Sequence, residues 1–130
     1  MRCLRVLLVT GVFVMSGGSH AQPDPQTGSR GLPAAFGNTI RGIFTDGEQR
    51  YWLRSDGTWT GIGRKGRHNN GNWNATEKEV CLTNQNHRTA CIRFPEDGRI
   101  GSKWKSGVRF PPLPFAVQTL TFELVAGIER

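Results

Sequence analysis

The sequence predicts an all-β domain, a small antiparallel meander closed as a barrel or folded as a sandwich, with one disulfide-linked hairpin. Three observations carry this expectation. Short alternating segments are separated by Thr45-Asp46-Gly47, Ser55-Asp56-Gly57 and Glu96-Asp97-Gly98, and Asp-Gly between such segments marks a hairpin. Glycine fills 17 of the 130 positions and no convincing 3.6-residue periodicity appears, which disfavours helices. Finally, Glu79 to Phe94 places Cys81 and Cys91 in two alternating runs around a polar tip.

The chain opens with what reads as a secretory signal peptide over residues 1–21. Arg2 and Arg5 form a basic start and Val6 to Met15 an apolar run. Ser19-His20-Ala21 supplies small residues at the first and third positions of a cleavage site. The apolar run is short for a membrane span, so no transmembrane segment is expected after cleavage. Removal would take Cys3 away and leave an even pair, Cys81 and Cys91, for an oxidising compartment. Arg2 and Arg5 would leave with it, lowering a formal net charge of +7 while keeping the remainder basic. Residues 22–36 carry Pro23, Pro25 and Pro33 among Gly, Ser and Thr, and predict a flexible linker. Residues 37–130 then form a single domain.

Within that domain the expected strands are Thr39 to Phe44, Gln49 to Arg54, Thr58 to Gly63, Gly71 to Asn74, the two arms of the cysteine hairpin, Arg99 to Lys105 and Ala116 to Val125. Three-residue turns with Gly left-handed set Leu53 against Trp59 and Phe94 against Ile100. Setting Cys81 opposite Cys91 pairs Val80 with Ile92, Leu82 with Ala90 and Glu79 with Arg93. Alternation then puts the apolar residues on one face and the cysteines on the other, and a one-residue slip would bury the charged pair. Asn84 and Arg88 close the loop. A disulfide across so short a loop stabilises by roughly 2–3 kcal/mol in the chain-entropy view; the alternative is two buried thiols. Pro111, Pro112 and Pro114 exclude a central strand, so Arg109 to Phe115 is expected to be an extended crossing segment. Leu120, Phe122 and Leu124 share one face of the last strand, which is expected to pair back with an early one.

Gly37-Asn38-Thr39, Ser55-Asp56-Gly57-Thr58, Gly71-Asn72-Trp73 and the Leu-flanked Cys81 with a second cysteine after a short loop come in that order. Together they resemble a loose group of small secreted bacterial β-rich proteins without established activity, over roughly Gly37 to Lys105. The resemblance implies a bacterial, periplasmic location and supplies no site.

Several chemistries lack their residues. Once the signal segment with Cys3 and His20 is removed, only His68 and His87 join the cysteine pair as soft metal ligands, both in expected loops, so no metal is expected. No Gly-x-Ser-x-Gly elbow is present. Asp46, Asp56, Glu96 and Asp97 sit in turns, where Asp is structural. Gly61 to Gly66 lacks the strand-to-helix context of a phosphate loop. The expectation is therefore a non-catalytic binding protein without a cofactor. Its candidate surface is basic: Arg64, Lys65 and Arg67 in the loop before Gly71, together with Arg50, Arg54 and Trp52. Lys103 and Lys105 add to it if the strands lie close. Trp59 and Trp73 are expected in the core, while Trp52 alternates outward with the two arginines. In a secreted protein the expected partner is an anionic envelope glycan, a lipid headgroup or a secreted protein rather than nucleic acid. The alternative is an inhibitor that presents Phe110 to Phe115 to a secreted hydrolase.

Overall fold

The computed structural model describes residues 29–128; the expected signal peptide and residues 22–28 lie outside them. The strands are β1 (Thr39–Phe44), β2 (Gly47–Leu53), β3 (Thr58–Ile62), β4 (His68–Ala75), β5 (Glu79–Asn84), β6 (Thr89–Arg93), β7 (Lys103–Arg109) and β8 (Ala116–Val125). Each is antiparallel to the next, and β8 returns to β1 to close a barrel. The barrel, not the sandwich, is thus the form adopted. Eight strands enclose an interior that side chains fill or that holds one small ligand.

The cysteine hairpin has the expected register, with Cys81 opposite Cys91, Val80 opposite Ile92 and Glu79 opposite Arg93. The two cysteines are bonded, their Cα atoms 4.0 Å apart. Asn84 N donates to Arg88 O at 2.9 Å to close the loop, and Asn84 Oδ1 accepts from the amides of Asn86 and Arg88. Ser55-Asp56-Gly57 is the expected three-residue turn, with Gly57 at φ 91° and Leu53 opposite Trp59. The final strand turns Phe122 and Leu124 into the core, with Leu120 packed against it.

Three turns differ from expectation. The first hairpin uses only Thr45 and Asp46, setting Phe44 against Gly47. This register puts Ile40 opposite Tyr51 on the inner face; one more turn residue would turn Tyr51 outward. Phe94 does not face Ile100, because β6 ends at Arg93 and β7 starts at Lys103, leaving a wide loop between them. That loop is held open by the N-terminal segment. Ser29 Oγ donates to Pro95 O at 3.2 Å, and a Cβ on Gly31 would lie 2.3 Å from the same oxygen. Arg109 to Phe115 does not cross the barrel. Arg109 ends β7 opposite Ala116 of β8, and residues 110–115 are the hairpin loop between them, with Leu113 N donating to Phe110 O at 3.0 Å.

The expected linker ends earlier than residue 36. Leu32–Ala35 form a 3-10 turn, and Leu32 and Ala35 are fully buried with Ile40, Leu53, Val80 and Leu124. Phe36 packs on Trp73 with ring centroids 5.7 Å apart. The turn spans from the β6–β7 loop to the start of β1 and closes that end of the barrel. Its one leucine and one alanine carried no periodic pattern, so only their burial reveals them.

Trp52 also differs from expectation. It is 5 % exposed, and its Nε1 donates to Thr39 Oγ1 at 2.8 Å. Thr39 Oγ1 in turn donates to Gly127 O at 2.7 Å. The chain after β8 therefore lies over this outward-facing patch, and the indole finds a partner as a buried tryptophan must. Trp59 is buried as expected. Its ring passes over Gly71, opposite it in β4, to donate to Thr83 O at 3.1 Å. A Cβ on Gly71 would meet that oxygen at 1.8 Å, so only glycine fits.

Candidate binding site in the open mouth of the barrel

In an up-and-down barrel alternate hairpin loops share an end. The β2–β3, β4–β5 and β6–β7 loops lie at the end closed by Leu32 and Ala35. They mix Arg54, Lys78 and Arg99 with Asp56, Glu77, Glu96 and Asp97. The β1–β2, β3–β4, β5–β6 and β7–β8 loops frame the other end, with Arg64, Lys65, Arg67 and Arg88 against Asp46. One end is therefore electrostatically mixed and the other cationic.

A cavity of about 560 Å³ opens at the cationic end, within the ordinary range for a small-molecule site. Its deep wall is apolar, formed by Trp59, Leu82, Ile92, Val108, Leu120 and Phe122. Gln49, Asn69, Asn84, Thr89 and Gln118 make a polar collar nearer the mouth, and Arg64, Arg67, Arg88 and Phe110 stand at the rim. No carboxylate, imidazole or thiol lines the cavity among the described residues.

The rim cations differ in their surroundings. Arg64 donates to Asp46 at 2.8 Å and lies 4.1 Å from the centre of the Phe44 ring. The Arg64 hydrogen bond holds the Asp46 carboxyl below its ordinary value. Arg67 and Arg88 form no ion pair among the described residues. Two guanidinium groups are thus left to face whatever enters. Arginine suits this role, because its planar fork matches a carboxylate or phosphate bidentately.

Tyr51 lies on the cavity wall, its hydroxyl donating to Gln49 Oε1. Burial pushes the phenol up to about 12, against a small opposing pull from Arg64. It therefore stays neutral and serves as a hydrogen-bonding group.

The six candidate residues are divided by the fold. Arg64, Lys65 and Arg67 are at the mouth. Arg50 is on the outer wall, 3.4 Å from Glu48, within a network in which Arg41 forks onto the same carboxylate at 2.7 and 2.8 Å. Arg54 is in the β2–β3 turn at the opposite end and donates to Thr58 and Thr60. Trp52 is buried away from the cavity. Lys103 and Lys105 lie on β7, paired with β8, and do not reach the β3–β4 loop. Arg88 and Tyr51 join the site without having been expected there, and Phe110, expected only in an inhibitory loop, stands at its rim. The signal was available: once an up-and-down meander is assumed, alternate turns must converge, and Arg88 follows the third of them.

Glu79 and both cysteines place a carboxylate and two sulfurs within 4.8 Å of one another. The sulfurs are bonded to each other, and Arg109 forks onto the carboxylate at 2.8 and 3.1 Å. The trio is therefore structural.

Comparison with protein-family models, curated proteins and solved structures returns no match.

Proposed function

We propose that the barrel is a binding protein for an amphipathic anion, with the apolar body inside the cavity and the anionic head at Arg64, Arg67 and Arg88. The observation that carries this reading is the coincidence of an apolar cavity and a cationic rim at the one open end. The lining, which among the described residues holds no carboxylate, imidazole or thiol, supports binding rather than turnover. The disulfide supports work in an oxidising compartment, which we take to be the periplasm.

Titration calorimetry with straight-chain alkyl carboxylates and alkyl phosphates tests the reading. Each added methylene should tighten binding by about 0.8 kcal/mol, roughly fourfold, until the cavity is full. The matching uncharged alcohols should bind at least about tenfold more weakly, since hydrogen bonds to charged groups contribute about 1.5–3 kcal/mol. Arg67→Ala with Arg88→Ala should erase the preference for the acid. Binding that ignores chain length would sink the proposal.

The second reading is an inhibitor of a secreted hydrolase. The exposure of Phe110 and Phe115 in the β7–β8 loop favours it. It requires tight binding to a hydrolase and predicts no chain-length dependence.

A further inference from the structure

We infer that the open end of the barrel docks on an anionic lipid bilayer, with the β7–β8 loop entering the headgroup layer. Phe110, Leu113, Phe115 and Val117 are 40, 39, 59 and 48 % exposed. They sit together in one loop and the strand start that follows it. That loop shares its end of the barrel with Arg64, Lys65, Arg67 and Arg88. Aromatic and aliphatic side chains beside a cluster of cations suit the boundary between acyl chains and acidic headgroups. Asp46, the one acid in the loops of this end, is engaged by Arg64 at 2.8 Å, so little repels such a surface. The closed end, with acids and bases mixed, offers no comparable field.

The docked orientation points the cavity at the lipid. A ligand with an apolar body could then pass between bilayer and barrel without crossing water. The docking itself rests on the loop and the rim charges and does not require that the cavity bind anything.

Sedimentation of the full chain with vesicles tests the inference. Vesicles of equal parts phosphatidylglycerol and phosphatidylcholine should carry the protein down at low salt, at least about tenfold better than phosphatidylcholine alone. Salt should release part of it, as the screening length shortens. Leu113→Ser with Phe115→Ser, neither of which lines the cavity, should weaken vesicle binding about tenfold or more. The same variant should keep its thermal midpoint and any calorimetric binding of alkyl anions, so a failed docking and a failed ligand site remain distinguishable. Against the wild type with its four native tryptophans, brominated lipid should add quenching in Phe115→Trp but none in Ile100→Trp, which places the new indole at the closed end. Equal vesicle binding by the wild type and the double serine variant overturns the inference, and so does added quenching in both tryptophan variants.

Discussion

The indole of Trp104 donates to the backbone carbonyl of Arg93 at 2.9 Å, and the Arg93 amide donates to Ser106 Oγ at 2.8 Å. Side chains of β7 thus replace ladder bonds at the junction with β6, where strand pairing is reduced to Cys91 and Arg109. Arg109 then reaches over β6 to fork onto Glu79 of β5. This fork lies over Cys91, which is fully buried although its side chain points away from the barrel interior. The barrel is sealed there by side chains.

Ser106→Ala should therefore destabilise the protein by about 1 kcal/mol, because it leaves a part-buried amide without its partner. Trp104→Phe removes an exposed bond to the Arg93 carbonyl and should cost about 0.5–1 kcal/mol, since water can take the place of the indole. Urea unfolding of each variant and of the pair gives the check. Losses below about 0.5 kcal/mol would show that the seam is held by something else.

The Glu79–Arg109 fork predicts an acid limb. Hydrogen bonding from Arg109 holds the Glu79 carboxyl below its ordinary value, and Arg41 does the same for Glu48. A carboxyl lowered on folding adds stability that is present above its unfolded value near 4.5 and is lost as pH falls through the folded value. Stability should thus hold at neutral pH and decline below about pH 4.5. Glu79→Gln should flatten the slope of unfolding free energy against pH in that window. An unchanged slope would remove the fork from the acid response.

Tyr51 is the only tyrosine in the chain, so tyrosinate absorbance reads it directly. Burial predicts a midpoint near 12 in the folded protein. The folded phenol holds its proton beyond the unfolded value near 10. Its contribution is complete below about pH 10 and is lost as pH rises toward 12, and Tyr51→Phe should reduce that alkaline loss. A midpoint near 10 would mean that the cavity wall is wet at Tyr51.

Leu32→Ala tests whether the N-terminal turn belongs to the domain. A fully buried leucine truncated to alanine costs about 2–5 kcal/mol, whereas a linker position changes stability by less than about 0.5 kcal/mol. Thermal unfolding separates these outcomes without any knowledge of ligand.

His87 has φ 61°, the left-handed conformation that the β3–β4 loop fills with Gly66 at φ 76°. A side chain there costs about 1 kcal/mol or more relative to glycine. His87→Gly should raise the thermal midpoint by several degrees, since about 1 kcal/mol corresponds to roughly 4–8 °C in a domain of this size. A lowered midpoint would show that the imidazole contributes more than the backbone loses.

What the sequence determined by itself was local. Alternation placed Leu120, Phe122 and Leu124 on one face, and the apolar pattern around Cys81 and Cys91 admitted one register, because a slip of one residue would have buried Glu79 and Arg93. The Asp56-Gly57 turn followed from the need for a left-handed residue. Such features depend on neighbours in the chain, so the chain records them. Tertiary structure decided the rest. Trp52 alternates outward, yet the segment after β8 lies over it, and nothing near Trp52 in sequence announces Gly127. Leu32 plugs the barrel because the β6–β7 loop is wide enough to receive the segment that precedes it. Arg64 and Arg67 were legible as a basic loop. Their union with Arg88, Tyr51 and Phe110 required closure of the barrel, which brings alternate loops to one end and leaves Arg50 and Arg54 on the outer wall and at the far end.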